Sequence, residues 1–300
     1  MNETLLKQII HECIGQAKRK LMLESGEKIT HLYQSTTEEN LKRMLASPVS
    51  FSAEFFGSVG GNMHTRAVYS NFDIRQAMKL NYGNVLVEID LYGGWIDGFI
   101  CINKYVAKKY FGGKDIIQQL KEMPKVYKLL DENILQVLKR AYDTGHGESM
   151  AIVEFCDYMG RLWKGKNKDA IIHRSGDSVA QRQDKSHVVL ASLGIRGFIY
   201  YGNSDGMCAI PLNADDVVLG RYSVFKSRYD APTDPKDIKW TEFNKKRGDI
   251  NHIQYYMAKY GDKYIWDRNE RGHCGTILVK SREDKLFYFI DTQNNGELLF

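Results

Sequence analysis

The stretch LYQSTTEENLKRML, residues 32–45, reads as a short strand that passes through a small polar knuckle into a helix. Thr36 followed three residues later by Glu39 has the spacing of a capping box, and Leu41, Met44 and Leu45 then share one helical face until Pro48 stops it. The strand half raises the question of why Tyr33, Gln34, Ser35 and Thr36 stand together at the joint. Helix capping is one answer, because Ser35 and Thr36 are the residue types that cap.

Outward from this joint the chain alternates strand and helix signals. A Gly-rich polar stretch, FFGSVGGNMHTRAVYS (residues 55–70), leads into a short helix over 71–80 opened by Asn71 or Asp73. NVLVEID (84–90) alternates in the manner of a half-buried strand, and after a bend at Gly93-Gly94 a second apolar run covers 95–102. Residues 104–111, 115–122 and 131–142 read as helices, the last ended by Thr144-Gly145. Between 146 and 176 the signal weakens: residues 150–155 fit strand and helix equally, and 164–169 form a charged loop. A helix over 179–193 closes at Gly194, and GFIYYG and MCAIPL follow as strands. Pro232 and Pro235 mark a polar link, beyond which TILVK and KLFYFID read as two late strands.

Composition bounds the function classes. Of 300 residues 43% are apolar and 26% charged, so a sizeable core is within reach. Forty-two basic against 37 acidic residues leave +5, a small excess that argues only weakly for a polyanionic partner. Cys13, Cys101, Cys156, Cys208 and Cys274 are scattered and odd in number, which speaks against a disulfide framework or a zinc site and fits a reducing compartment. MNETLLKQIIHECIGQAKRKLM is an amphipathic helix with charges from Glu3 onward, unlike a signal peptide, and no window approaches the roughly 18 apolar residues of a membrane span. The chain holds no Walker loop, Rossmann glycine fingerprint or Gly-x-Ser-x-Gly elbow.

Three pieces taken in order, LYQSTTEEN, GGNMHTRAVYSNFDIRQAMKLNYGNVLVEIDL and LGIRGFIYYGNSDGMCAIPLNADDVVL, resemble the ADP-ribosyltransferase fold. The likeness is to the transferase-like domains of phage and mobile-element polyvalent proteins, and it covers residues 30–222 with a poorly matched middle over 118–174. It implies an α+β fold: a split antiparallel sheet flanked by helices, two of whose strands part to form a cleft. The corresponding layout is an N-terminal helix (1–29), a transferase-like domain (30–230) and a small α+β C-terminal appendage (231–300).

The resemblance also implies NAD as substrate. Tyr33, Ser35 and Thr36 would supply a strand edge for the nicotinamide amide and ribose. Gln34 takes the place usually held by His, and it can donate and accept hydrogen bonds but cannot switch charge near neutral pH. Gly61 would let backbone approach the ligand, Arg66 would meet the pyrophosphate, Tyr69 would offer a ring face to the nicotinamide and Ser70 a hydroxyl. Each has a plainer reading beside it: Gly60 and Gly61 as a turn, Arg66 as a loop residue, Tyr69 as core. The carboxylate that opposes an oxocarbenium-like charge is usually a Glu at the start of the strand reading MCAIPL. No Glu stands there; Asp205 is the nearest carboxylate, although Asp205-Gly206 is also a hairpin turn, and Glu148 is a second candidate.

The implied partners are a host protein or a nucleic acid as acceptor, and virion proteins, in the host cytoplasm or the virion and away from membranes. Two other readings stand beside transfer: a non-catalytic phage structural or host-interaction protein on the same fold, and a basic nucleic-acid-binding protein using Trp163, Lys164, Lys166, Lys168 and the tyrosine-rich tail.

Overall fold

A computed structural model describes residues 31–46, 69–80, 82–91, 96–162, 179–202, 205–212, 217–243, 252–266, 276–291 and 296–299. The expected N-terminal helix, Gly61, Arg66 and the lysines at 164–168 lie outside these residues.

The opening joint forms as β1 (His31–Thr36) and α1 (Glu38–Ala46). Its cap lies one residue later than the sequence spacing suggests: Asn40 N donates to Thr37 Oγ1 at 3.3 Å, while Glu39 pairs with Arg43 at 2.7 Å. Thr36 is unavailable for capping because it belongs to the sheet, opposite Val85, with its hydroxyl accepting from Asn40 Nδ2 at 2.9 Å. Next come β2 (Ser70–Asn71), α2 (Ile74–Leu80), β3 (Val85–Leu91) and β4 (Phe99–Cys101). Asp73 opens α2, accepting from Arg75 N at 2.8 Å.

Helices α3 (Lys104–Tyr110), α4 (Ile116–Lys121), α5 (Pro124–Tyr127), α6 (Glu132–Thr144), α7 (Glu148–Arg161) and α8 (Val179–Ser192) then lead to β5 (Gly197–Gly202), β6 (Gly206–Pro211), β7 (Val217–Val224) and β8 (Thr241–Glu242). Gly145, at φ 66, closes α6 in the left-handed conformation that glycine adopts without a Cβ penalty. Residues 150–155, whose sequence fits strand and helix equally, lie within α7.

These eight strands make one sheet in the order β4-β5-β6-β2-β1-β3-β7-β8. The architecture is α+β, but the sheet is mixed and not purely antiparallel, since β4 and β5 run parallel and the helices α3–α8 form their crossover. Strand β3 is also more deeply placed than a half-buried strand. Its Val85, Val87 and Ile89 join Leu32 and the α1 residues Leu41 and Met44 in the main core, while Leu86 packs on the other face with Ala77 of α2 and Ile238. Residues 235–243 belong to this sheet and its cover: Trp240 packs near Leu86, Phe243 lies 4.8 Å from the Tyr222 ring, and β8 pairs with β7. The large sheet therefore runs past the division drawn at 230.

Beyond it, α9 (His252–Tyr260) precedes a second sheet of β9 (Tyr264–Ile265), β10 (Thr276–Ser281), β11 (Phe287–Asp291) and β12 (Gly296–Leu299), ordered β12-β11-β10-β9. Tyr256, Tyr264, Ile277, Val279 and Ile290 form its core, which matches the α+β character expected of the tail. No helix among the described residues is long and apolar enough to cross a membrane.

Candidate functional site

The large sheet is joined thinly at its centre. Six residue pairs tie β1 to β3 and six tie β5 to β6, but among the described residues β1 meets β2 at one rung, Tyr33 opposite Asn71. With only two residues in β2, side chains take over part of the ladder's work. Ser70 Oγ donates to the Ala209 carbonyl at 2.6 Å, and Asn71 Nδ2 donates to the carbonyls of Asp205 and Met207, both at 2.9 Å. The Ser70 bond reaches the middle of β6, and the two Asn71 bonds fix the start of that strand against the seam.

Asp205 sits at this junction. Gln76 Nε2, from α2, adds a 3.2 Å bond to its carbonyl, and Gly206 follows at φ +69. The positive φ favours glycine at 206, and a Cβ there would lie 2.5 Å from the Gln76 amide and displace it from Asp205. With its backbone pinned, the Asp205 carboxylate accepts a hydrogen bond from the Tyr82 hydroxyl. Tyr82 is 60% exposed, yet its phenol is pushed up to about 12, first by loss of water around the hydroxyl and then by the bond to Asp205 and its charge. The residue after it is anchored to β1: a Cβ on Gly83 would stand 1.9 Å from the Thr36 carbonyl oxygen, and Ser35 Oγ donates to the Gly83 carbonyl at 3.4 Å. Tyr82 thus links the β1 side of the seam to the β6 side.

Side chains alternate along β1, so Tyr33 and Ser35 face one way and Gln34 and Thr36 the other; the four cannot line one surface. Tyr33 hydrogen-bonds the buried Glu88, and its phenol is pushed up to about 12 by burial and then by the Glu88 charge. Arg221 closes on the same carboxylate with two bonds, 2.7 and 2.9 Å, and stacks 4.5 Å from the Trp240 ring. His31 and Asp90 lie beside them, 2.7 Å apart. His31, Glu88 and Asp90 are close enough to share a cation, but the Glu88 oxygens already hold the Arg221 guanidinium, and the cluster reads as an ion-pair network.

Gln34 differs from its neighbours. Its Oε1 is buried and has no hydrogen-bond partner, a condition that costs about 1–3 kcal/mol for a desolvated acceptor. Tyr69, just before β2, is half-buried against the main core, close enough to Tyr200 of β5 to add to the upward shift that burial gives that phenol. Gln34, Tyr69, Ser70 and Asp205 therefore come from neighbouring strands β1, β2 and β6 or their ends, although they are far apart in sequence.

Glu148 belongs to a different place. It is 1% exposed at the start of α7, and both oxygens are engaged: Oε1 accepts from Asn103 Nδ2 at 2.8 Å and Oε2 from Tyr201 N at 2.6 Å. Strand β4 ends its pairing with β5 at Cys101 opposite Ile199, and Glu148 supplies an acceptor to the β5 backbone farther along. Gln119 does the same for β4, bonding Cys101 N and Cys101 O at 2.9 Å each. Asn103 also caps α3 through Oδ1, so one buried network ties two helix starts to the sheet. Burial pushes the Glu148 carboxyl up, and the bonds from Tyr201 and Asn103 oppose that shift.

Sequence reasoning missed Tyr82, Asn71 and Gln76. Their signal was present only as polar residues in and around α2, and nothing local reveals that they converge on a turn more than a hundred residues away. Compared with protein-family models, with curated proteins and with solved structures, the chain matches none of them.

Proposed function

We propose that the seam between β1, β2 and β6 is the site of an NAD-dependent transfer of ADP-ribose to a protein or nucleic-acid acceptor. The observation that carries this reading is Asp205: its backbone is fixed by Asn71 and Gln76, while its carboxylate stays on the partly exposed side with a hydroxyl donor, Tyr82. Fixed charge of this kind is what a reaction that develops positive charge needs. In the transfer, the bond between ribose C1′ and the nicotinamide nitrogen breaks and its electron pair leaves with nicotinamide. The acceptor nucleophile bonds C1′ and releases its proton to solvent, while Asp205 opposes the cationic charge in between. Gln34 fits the ligand through its unmatched buried oxygen, which a ribose hydroxyl would satisfy, and Tyr69, half-buried just before the adjoining β2, would offer its ring.

A non-catalytic role on the same fold is the second reading. It is favoured by the commitment of the remaining hydroxyls: Ser70 to Ala209, Ser35 to Gly83, Thr36 to Asn40 and Tyr33 to Glu88. Incubation with labelled NAD, host lysate and nucleic acid separates the two. Label transferred by the wild-type chain and lost in Asp205→Asn supports the transferase; NAD binding with no transfer to any acceptor supports the second reading, and absence of both sinks the site assignment.

A further inference from the structure

The formal charge of the chain is +5, and one short segment accounts for all of it. Between residues 104 and 128 seven lysines stand against two carboxylates, an excess of five. Both carboxylates are already in use. Asp115 caps α4, accepting from Gln118 N at 2.8 Å, and Glu122 holds Lys114 at 2.6 Å. On the neighbouring α6, Asp143 is taken by Lys139 at 2.6 Å and Glu132 accepts from Gln136 at 3.2 Å. Lys108, Lys125 and Lys128 are exposed and make no ion pair among the described residues.

The lysines are interleaved with tyrosine rings. On α3 the buried side is Val106 and Ala107, which turns Lys104, Tyr105, Lys108 and Lys109 together toward solvent. Tyr105 is 72% exposed with the Lys104 ammonium 5.4 Å from its ring centroid. The Lys109 ammonium lies 4.8 Å from the Tyr110 ring and that of Lys121 5.9 Å from Tyr127. An open groove of about 420 Å³ lies along α4 and the loop that precedes it, lined by Gly112, Gly113, Lys114, Gln118 and Glu122.

We infer that the α3–α5 surface docks single-stranded nucleic acid, with phosphates on the lysines and a base stacked on Tyr105. Exposed ammonium groups beside the exposed Tyr105 ring suit a ligand that alternates phosphates with bases. An acidic protein gains nothing from the ring face, and a bilayer requires an insertable apolar patch that these helices lack. Tyr105, Lys108, Lys125 and Lys128 are residues other than Lys164, Lys166 and Lys168, and none of them belongs to the Asp205 seam, although Tyr110 of α3 packs 6.3 Å from Phe72 beside β2.

The test is fluorescence anisotropy of a labelled oligothymidylate with the full chain, without NAD, over about 50–200 mM salt. Affinity should fall with salt, and the Lys108→Ala/Lys125→Ala/Lys128→Ala chain should have a slope shallower by about two, at about 0.7 per phosphate contact. Tyr105→Ala should bind about tenfold more weakly at a nearly unchanged slope. Thermal melting checks that each variant is folded, and Lys108→Ala alone serves if the triple variant is not. An unchanged slope in the lysine variants overturns the proposal. So does a Tyr105→Ala chain that binds as the wild type does, or preferential binding of duplex DNA, heparin or phosphatidylserine vesicles over the single strand.

Discussion

Around Glu148 every polar atom of the carboxylate is answered from inside the molecule, whereas around Asp205 the backbone is held and the carboxylate is turned toward an exposed hydroxyl. Both acids lie near the β5–β6 hairpin, Glu148 through Tyr201 and Asp205 at the first residue before β6. The same functional group performs opposite tasks there. Buried and bonded to Tyr201 N and Asn103 Nδ2, Glu148 substitutes for a missing strand and stabilises the sheet edge. Asp205 contributes its carbonyl to structure and leaves its charge available.

The largest effect should come from breaking the Glu148 side of this contrast. Glu148→Ala strands the Tyr201 N–H and the Asn103 amide without acceptors in a buried site, at an expected cost of about 4 kcal/mol in urea unfolding. A loss below about 1 kcal/mol would mean that the carboxylate is not structural, and Glu148 would return as a candidate for chemistry. Asp205→Asn should behave in the reverse way. Labelled transfer should drop about a hundredfold or more, while stability changes by less than about 0.5 kcal/mol. Full transfer by Asp205→Asn moves the catalytic carboxylate elsewhere.

Titration sharpens the same comparison. Burial raises the Glu148 carboxyl above its ordinary 4.5, so between that value and the raised one the folded chain keeps a proton that the unfolded chain has released. Its contribution to stability is fully present below 4.5 and is lost as pH rises through the folded value. The slope is at most that of one proton, about 1.4 kcal/mol per pH unit, and Glu148→Gln should remove it from the pH dependence of the urea midpoint. An identical pH profile in the two proteins would show that the carboxyl does not titrate differently on folding.

What the sequence could foretell follows from how local each cause is. α6 was legible because Asp131 and Gly145 mark its ends with short-range chemistry, β3 because NVLVEID alternates, and β6 because an apolar run of strand length stands out. α7 was not, since ESMAIVEFCDYMGR is apolar at both strand and helix spacing until α8 packs beside it. The cap at Thr37 was misplaced by one residue because two adjacent threonines offer the same hydroxyl, and only the pairing of Thr36 with Val85 decides between them. Gln34, Ser70 and Asp205 were named from resemblance. The contrast between Asp205 and Glu148 was invisible in sequence because Tyr82, Asn71, Gln76 and Asn103 reach those acids only through the folded sheet.

The smallest effect concerns the hydroxyl that faces Asp205. Tyr82→Phe removes one partly exposed hydrogen bond, so unfolding should change by less than about 0.5 kcal/mol. The pair can be followed directly by NMR of ring-labelled tyrosine, in which the Tyr82 phenol should ionise near about 12 in the wild type. In Asp205→Asn that midpoint should fall, because the amide removes both the negative charge and the strong acceptor, but it should remain above 10.0 since loss of water around the hydroxyl persists. An unmoved midpoint would mean that the two groups do not meet in solution. The effect on transfer then tells whether Tyr82 tunes the carboxylate or touches substrate. A hydroxyl donating to Asp205 draws charge from the oxygen that opposes the developing cation, so Tyr82→Phe should leave the rate within about tenfold of wild type, on either side. A loss as deep as that of Asp205→Asn would put the Tyr82 hydroxyl itself on the reacting atoms.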